Sequence, residues 1–140
     1  TKWLIEGAAA SFESLYTQQH FHINYFLSGQ TEVDSEATKN PSIFENYDSQ
    51  DKDVNYSSSV FLFLVLAKEL QLAGHSEAEA FKLMFKDFMQ ANPHKKTWQD
   101  AFQTTFNMSV SDFYTKASSY NSSINTVLPT ASLTLESIFN

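Results

Sequence analysis

Cysteine is absent from the chain, and glycine and proline occur only three times each in 140 residues. The first absence excludes disulfides, thiolate nucleophiles and cysteine-based zinc sites. The second leaves little backbone punctuation, which favours long helices over many short strands. Basic residues are scarce as well: 9 Lys and Arg stand against 16 Asp and Glu, for a net charge of -7 and a pI near 4.9. Nucleic acid and anionic membrane surfaces are therefore disfavoured as partners, since both require a concentrated basic face. No apolar run is long enough for a bilayer. The most apolar stretch, VFLFLVLA over residues 60–67, falls well short of the roughly 20 residues a membrane helix needs and reads as a central core helix. No secretory signal is visible, and the chain opens on Thr1 and not on Met. The expectation is a processed or trimmed chain, a piece of something longer.

What is present argues for a folded globule. Apolar residues make up 42% of the chain and aromatics 15%, with 13 Phe among them, a composition unlike that of disordered segments. The length suits one domain, residues 1–140, with its own core. Apolar residues from Trp3 to about Leu27 recur at helical spacing and predict a first helix, broken near His20 and ended by Gly29. Residues 28–53 are polar and aperiodic, a long loop with a short helix after Pro41. A second long helix follows, with Asp53 as its N-cap and Gly74 as its stop. Ser76 and Glu79 form a capping box ahead of a stripe of Phe81, Met84, Phe85 and Phe88. Thr97 with Asp100, and Ser109 with Asp112, open two more helices. Beyond Tyr120 a Ser/Asn-rich connector leads into SLTLESIF, a strand or short helix, and residues 121–140 read as a loosely structured tail. The expected fold is all-α: about five helices in an irregular bundle, with the long loop between the first two.

One acid stands out. A helix through WLIEGAAASFESLY places Glu6, Ala9, Ala10 and Glu13 on a single face. Two carboxylates on an otherwise small apolar face do not make a solvated charge stripe. Gly7 costs about 1 kcal/mol of helix propensity relative to Ala, so it has another use, such as the close approach of a neighbouring backbone.

WLIEGAAASFE resembles the segment of gluzincin zinc metallopeptidases in which W-L-x-E-G-x-A supplies the third metal ligand, after an H-E-x-x-H helix has supplied two His ligands and the general base. VNYSSSVFLFLVLAKELQLAG is similar to the Tyr-bearing helix of the M1 aminopeptidase branch. AFKLMFKDFMQ and TWQDAFQTTFNMSVSDFYTKA resemble the helices that complete that catalytic domain. Ser58 and Ser59 stand where that branch has Lys-Gly, which places the likeness with gluzincins more broadly. The resemblance implies that Glu6 is a zinc ligand, that Tyr56 donates a hydrogen bond to the oxyanion of the transition state, and that Glu13 orients a ligand. It implies peptide-bond hydrolysis by a zinc-activated water on a peptide or protein substrate. H-E-x-x-H is absent from these residues, so it belongs to an upstream segment. The chain alone is then expected to be inactive, to bind zinc poorly, and to expose an apolar groove where that segment packs. A secreted or periplasmic setting follows from the same likeness.

Plainer readings compete. Glu6 can serve as a first-turn acid worth about 0.3–1 kcal/mol against the helix dipole, Tyr56 as a packing aromatic, and the whole chain as a non-catalytic helical binding domain. His20 and His22, two residues apart on a helix, point to different sides and cannot share an ion. One is expected buried and the other solvated, while His75 and His94 read as helix-end or loop residues. No nucleophile elbow and no calcium-loop spacing occurs. N-x-S sequons at Asn55, Asn107 and Asn121 carry meaning only in a eukaryotic secretory pathway.

Overall fold

The apolar run at residues 60–67 fixes the centre of the molecule. In the computed structural model, which describes residues 1–48, 52–91 and 97–140, this run lies in the long helix α4 (Lys52–Leu72). All residues from Ser57 to Ala67 are buried. A helix that is apolar on every side needs neighbours all round, and the rest of the chain supplies them. Every regular element among the described residues is helical.

The first neighbour is α1 (Lys2–Phe21). Its buried residues, including Leu4, Gly7, Ala8, Ser11, Leu15 and Gln18, repeat every three or four positions and form the stripe that packs on α4. The contact is very close at Gly7. A Cβ there would stand 2.6 Å from the Ser59 carbonyl oxygen and 2.9 Å from Phe63 Cβ. The glycine expected to admit a neighbouring backbone does so, and the neighbour is the serine-rich first half of α4. Trp3, fully buried near the start of α1, stacks on Phe113 at 5.5 Å.

α1 ends where the sequence suggests a break. His22 takes a left-handed conformation (φ 56°) and its N–H donates to the Gln18 carbonyl, a common helix stop. A short helix α2 (Tyr25–Gly29) follows, capped by the Asn24 side chain. The polar stretch beyond it holds a turn of helix, α3 (Glu36–Lys39), and a 3-10 turn at Pro41–Glu45, the short helix expected after Pro41. α4 begins at Lys52, so Asp53 lies inside its first turn and is not the cap the sequence suggested. At the other end Gly74 adopts φ 113°, and the His75 N–H reaches back to the Leu70 carbonyl at 3.1 Å. Glycine is needed there because that φ is costly for any residue with a Cβ.

The remaining helices start at the predicted caps. Ser76 accepts from the Glu79 N–H ahead of α5 (Glu77–Lys82), which runs through a π-helical turn (Leu83–Asp87) into α6 (Phe88–Gln90). Phe81, Met84 and Phe88 are buried, and Phe85 packs against Phe63 and Phe12. Thr97 caps α7 (Trp98–Phe106) and Ser109 caps α8 (Val110–Ala117). A reciprocal capping box occurs at Thr134 and Ser137, which open α9 (Leu135–Phe139). The SLTLESIF segment is thus a helix and not a strand. Within 121–140, the stretch read from sequence as a loose tail, Ile124, Val127, Leu133 and Ile138 are buried. Gln18 donates to the Ala131 carbonyl, and Gln19 both accepts from the Leu135 N–H and donates to Glu136.

No helix among the described residues is long and apolar enough to cross a membrane.

Candidate functional site

The face of α1 predicted to carry Glu6, Ala9, Ala10 and Glu13 forms one wall of a cleft of about 270 Å³. The opposite side is built by Asp53 and Tyr56 from the first turns of α4, and the end is closed by Tyr25, Gly29 and Gln30 at and just beyond α2. All three residues singled out from sequence, Glu6, Glu13 and Tyr56, therefore share one cavity. Helical periodicity explains the first two. Tyr56 arrives because α4 crosses α1 at the Gly7 contact, one position along from Glu6.

Glu6 is half-buried, and α1 has no acid in its first turn. It sits just past the first turn, where the pull of the helix dipole has already weakened. Among the described residues no hydrogen bond or ion pair engages its carboxylate. Ala9 and Ala10 keep the floor of the cleft low between the two acids. Tyr56 is 37% exposed, and its ring meets Tyr47 edge-on at 6.4 Å. Tyr47 is fixed in turn: its hydroxyl pairs with Ser59 Oγ at 2.9 Å, and the Lys2 ammonium lies 5.0 Å over its ring. Burial pushes the Tyr47 phenol above its ordinary pKa. The Ser59 hydrogen bond opposes this, while the charges of Glu6 and Tyr56 add to it. The Glu6 carboxylate is thus felt at the tyrosine pair beside the cleft.

Gly29 has a local purpose. A Cβ on it would come within 2.4–2.7 Å of three Tyr25 ring atoms, so only glycine lets that ring fold back across the end of α2. Gln30 is 8% exposed, and its side-chain carbonyl accepts from Ser57 Oγ at 3.4 Å. It lines the inner end of the cleft.

The gluzincin likeness implies a zinc ion, and the cleft has few donors for one. Glu6 offers one accessible carboxylate, suited to a single ligand position. Glu13 lies two helical turns further on, about 10 Å along the axis. No group of three or more His, Cys, Asp or Glu suited to a metal occurs among the described residues. Within the cleft, then, Glu6 is the residue that could serve as a single zinc ligand.

The histidines stay away from the cleft. His20 is exposed and packs on Tyr16 at 4.3 Å, and His22 is exposed as well, so neither is the buried partner expected from sequence. They end α1, where the chain leaves the core. His75 lies 3.6 Å from Glu79, and His94 falls outside the described residues. A wider groove of about 520 Å³ between α3 and α8 is lined by Lys39, Ser42, Ser111, Thr115 and Tyr114. The Tyr114 hydroxyl is already committed, donating to Glu45 at 2.6 Å and accepting from the Trp3 indole at 3.0 Å.

Sequence reasoning missed Tyr25, Tyr47, Gln30 and, as a wall residue, Asp53. The glycine after YFLS was a usable signal for Tyr25, because a glycine four residues after an aromatic leaves room for the ring. Gln30 carried none. Comparison with known protein families, curated proteins and solved structures finds no match to this chain.

Proposed function

We propose that this cleft is the carboxylate-and-phenol half of a zinc peptidase site, completed by a histidine-bearing segment outside these 140 residues. The observation that carries the reading is the convergence of Glu6, Glu13 and Tyr56 on one small cavity, with Glu6 accessible and unengaged by any described residue. Glu6 would supply one metal ligand. A zinc ion held there would polarise the scissile carbonyl and activate water for attack. Tyr56, braced by Tyr47 at its ring edge, donates its hydroxyl proton as a hydrogen bond to charge developing on the carbonyl oxygen. Glu13, exposed at the far end of the same face, orients a ligand or the substrate. Exposed apolar residues on α1, Ile5 and Tyr16, offer a surface for the completing segment.

The decisive test is the coding sequence upstream of Thr1, followed by expression of the longer protein. An H-E-x-x-H ending roughly twenty residues before Glu6, with zinc-dependent peptide cleavage abolished by Glu6→Gln, is the expected result. Absence of that motif overturns the peptidase reading.

A further inference from the structure

Charged residues are spread over most of the chain, yet residues 14–31 hold no Asp, Glu, Lys or Arg. This gap coincides with the corner where α1 ends and α2 begins. Tyr16, Phe21, Ile23, Tyr25 and Leu27 are all exposed there, Phe21 (63%) and Ile23 (51%) most of all. Single exposed apolar side chains are ordinary on a protein surface, whereas a group of them at one place marks an interaction site. Tyr16 lies 4.3 Å from the His20 ring and 6.5 Å from the Phe21 ring, so the α1 side of the corner is continuous. The left-handed turn at His22 stops α1 there, and Ile23 and the first residues of α2 follow at once. Acids stand at the borders: Glu136 accepts from Gln19, the neighbour of His20, and Glu13 lines a cleft with Tyr25.

The polar groups of the corner decide which partner suits it. Tyr16, Tyr25 and Ser28 bring hydroxyls, and His20 and His22 bring imidazoles, all five residues being exposed. A hydroxyl or a neutral imidazole can both donate and accept a hydrogen bond. In a two-fold interface each patch meets its own copy. Groups that donate and accept can satisfy that condition, while carboxylates or ammonium groups would face their own kind. The overall charge points the same way. At -7, two copies repel over most of their surface, and an uncharged corner is where they touch against least opposition. An anionic membrane finds no Lys or Arg to attract within residues 14–31.

Area sets the strength. With about 200 Å² for a whole large apolar side chain, the five exposed ones offer on the order of 500 Å² per copy. Two copies then bury about 1,000 Å², the lower end of specific interfaces, where complexes are weak and reversible.

We infer that this corner is a self-association surface through which two copies of the chain form a closed two-fold dimer, with Phe21 and Ile23 at its centre. The inference is independent of the peptidase reading, since neither Glu6 nor Tyr56 takes part.

The test is sedimentation equilibrium of the 140-residue chain from about 5 to about 500 µM, a span suited to an interface of this size. A reversible monomer–dimer equilibrium with nothing larger is expected, half-dissociated at about 10–100 µM. Phe21→Glu and Ile23→Glu should each weaken it about tenfold or more, because each copy then brings an acid to the contact. Both residues are more than half exposed, and an unchanged thermal midpoint shows that the variants fold; Leu27→Glu is the substitute for either that does not. Leu72→Glu is the control, since Leu72 is 78% exposed at the end of α4 and outside the corner. Dimerisation unaffected by Leu72→Glu and lost with the corner variants supports the inference. A monomer at every concentration overturns it, as do oligomers that keep growing with concentration, because a two-fold contact closes. Equal loss with Leu72→Glu would mean unspecific adhesion. Flotation with phosphatidylcholine vesicles by a chain that stays monomeric, abolished by Phe21→Glu, would assign the corner to a lipid surface instead.

Discussion

Gly7 of α1 and Ser59 of α4 meet backbone to backbone, with 2.6 Å between the Ser59 carbonyl oxygen and the place a Cβ on Gly7 would occupy. That contact sets how closely the two central helices approach and hence the width of the cleft beside it. Gly7→Ala gains about 1 kcal/mol of helix propensity but forces two backbones and Phe63 apart, an overpacking cost of about 1–3 kcal/mol or more. Net destabilisation is expected, read as a lower urea midpoint at an unchanged m-value. A midpoint at or above that of the parent chain would mean that the helices separate freely.

Tyr56→Phe isolates the hydroxyl. The ring can keep its edge-on contact with Tyr47, and its 37% exposure leaves the fold little dependent on the OH. In the longer protein carrying the completing segment, kcat is expected to fall about 10²–10³-fold with KM little changed. A change confined to KM would instead assign the hydroxyl to ground-state binding.

Tyr114→Phe removes the acceptor of the Trp3 indole N–H and the donor to Glu45 together. Leaving a buried indole N–H unpaired costs about 1–3 kcal/mol, visible as a lower thermal midpoint. Tyr120→Phe, which breaks a hydrogen bond to Glu69 on α4, serves as the comparison because it strands no buried donor.

The same two phenols give the fold an alkaline limit. Burial first, and then the neighbouring carboxylates Glu45 and Glu69, hold the Tyr114 and Tyr120 protons well above the ordinary tyrosine range. Below about pH 10 both the folded and unfolded chains keep these protons. Above it the unfolded chain releases them while the folded chain does not, so the unfolded state gains and stability falls as pH rises. Urea midpoints at pH 8, 10 and 11 should decline across the last interval. Tyr114→Phe should flatten that decline, and an equally steep fall in the variant would place the alkaline sensitivity elsewhere.

Ile138→Ala tests the C-terminal helix. Ile138 is 1% exposed, and its neighbour Phe139 packs against Phe12 and Phe85. A loss of about 2–5 kcal/mol is expected by chemical denaturation. A loss below 1 kcal/mol would mean that α9 docks without supporting the core.

Local signals made much of this molecule readable in advance. The caps at Ser76, Thr97 and Ser109 begin helices because a short hydroxyl side chain can bind an N–H that the helix leaves unpaired. The buried run at residues 60–67 had no other place than the centre. Glu6 and Glu13 share a face because seven residues make almost two full turns. What could not be read came from contacts distant in sequence. Asp53 looked like a cap because the sequence does not show that the helix already includes Lys52. Tyr25 and Gln30 reach the cleft through the path of the chain after His22, and Trp3 finds Tyr114 only in the packed bundle. The histidines were misjudged for the same reason: helix geometry put His20 and His22 on different sides and suggested one buried imidazole, but α1 leaves the core before it reaches them.

The π-helical turn at Leu83–Asp87 makes the third long helix one residue out of phase with itself. Each residue turns an α-helix by about 100°, and a π turn accommodates one extra residue by widening the coil. Phe81 upstream packs on Phe63, and Phe88 downstream stacks on Phe106 at 5.6 Å. A regular helix could not aim both rings as it does now. The segment therefore behaves as a keyed joint, and removing a single residue from it would rotate Phe88 about a quarter turn away from α7 while leaving composition and hydrophobicity almost unchanged.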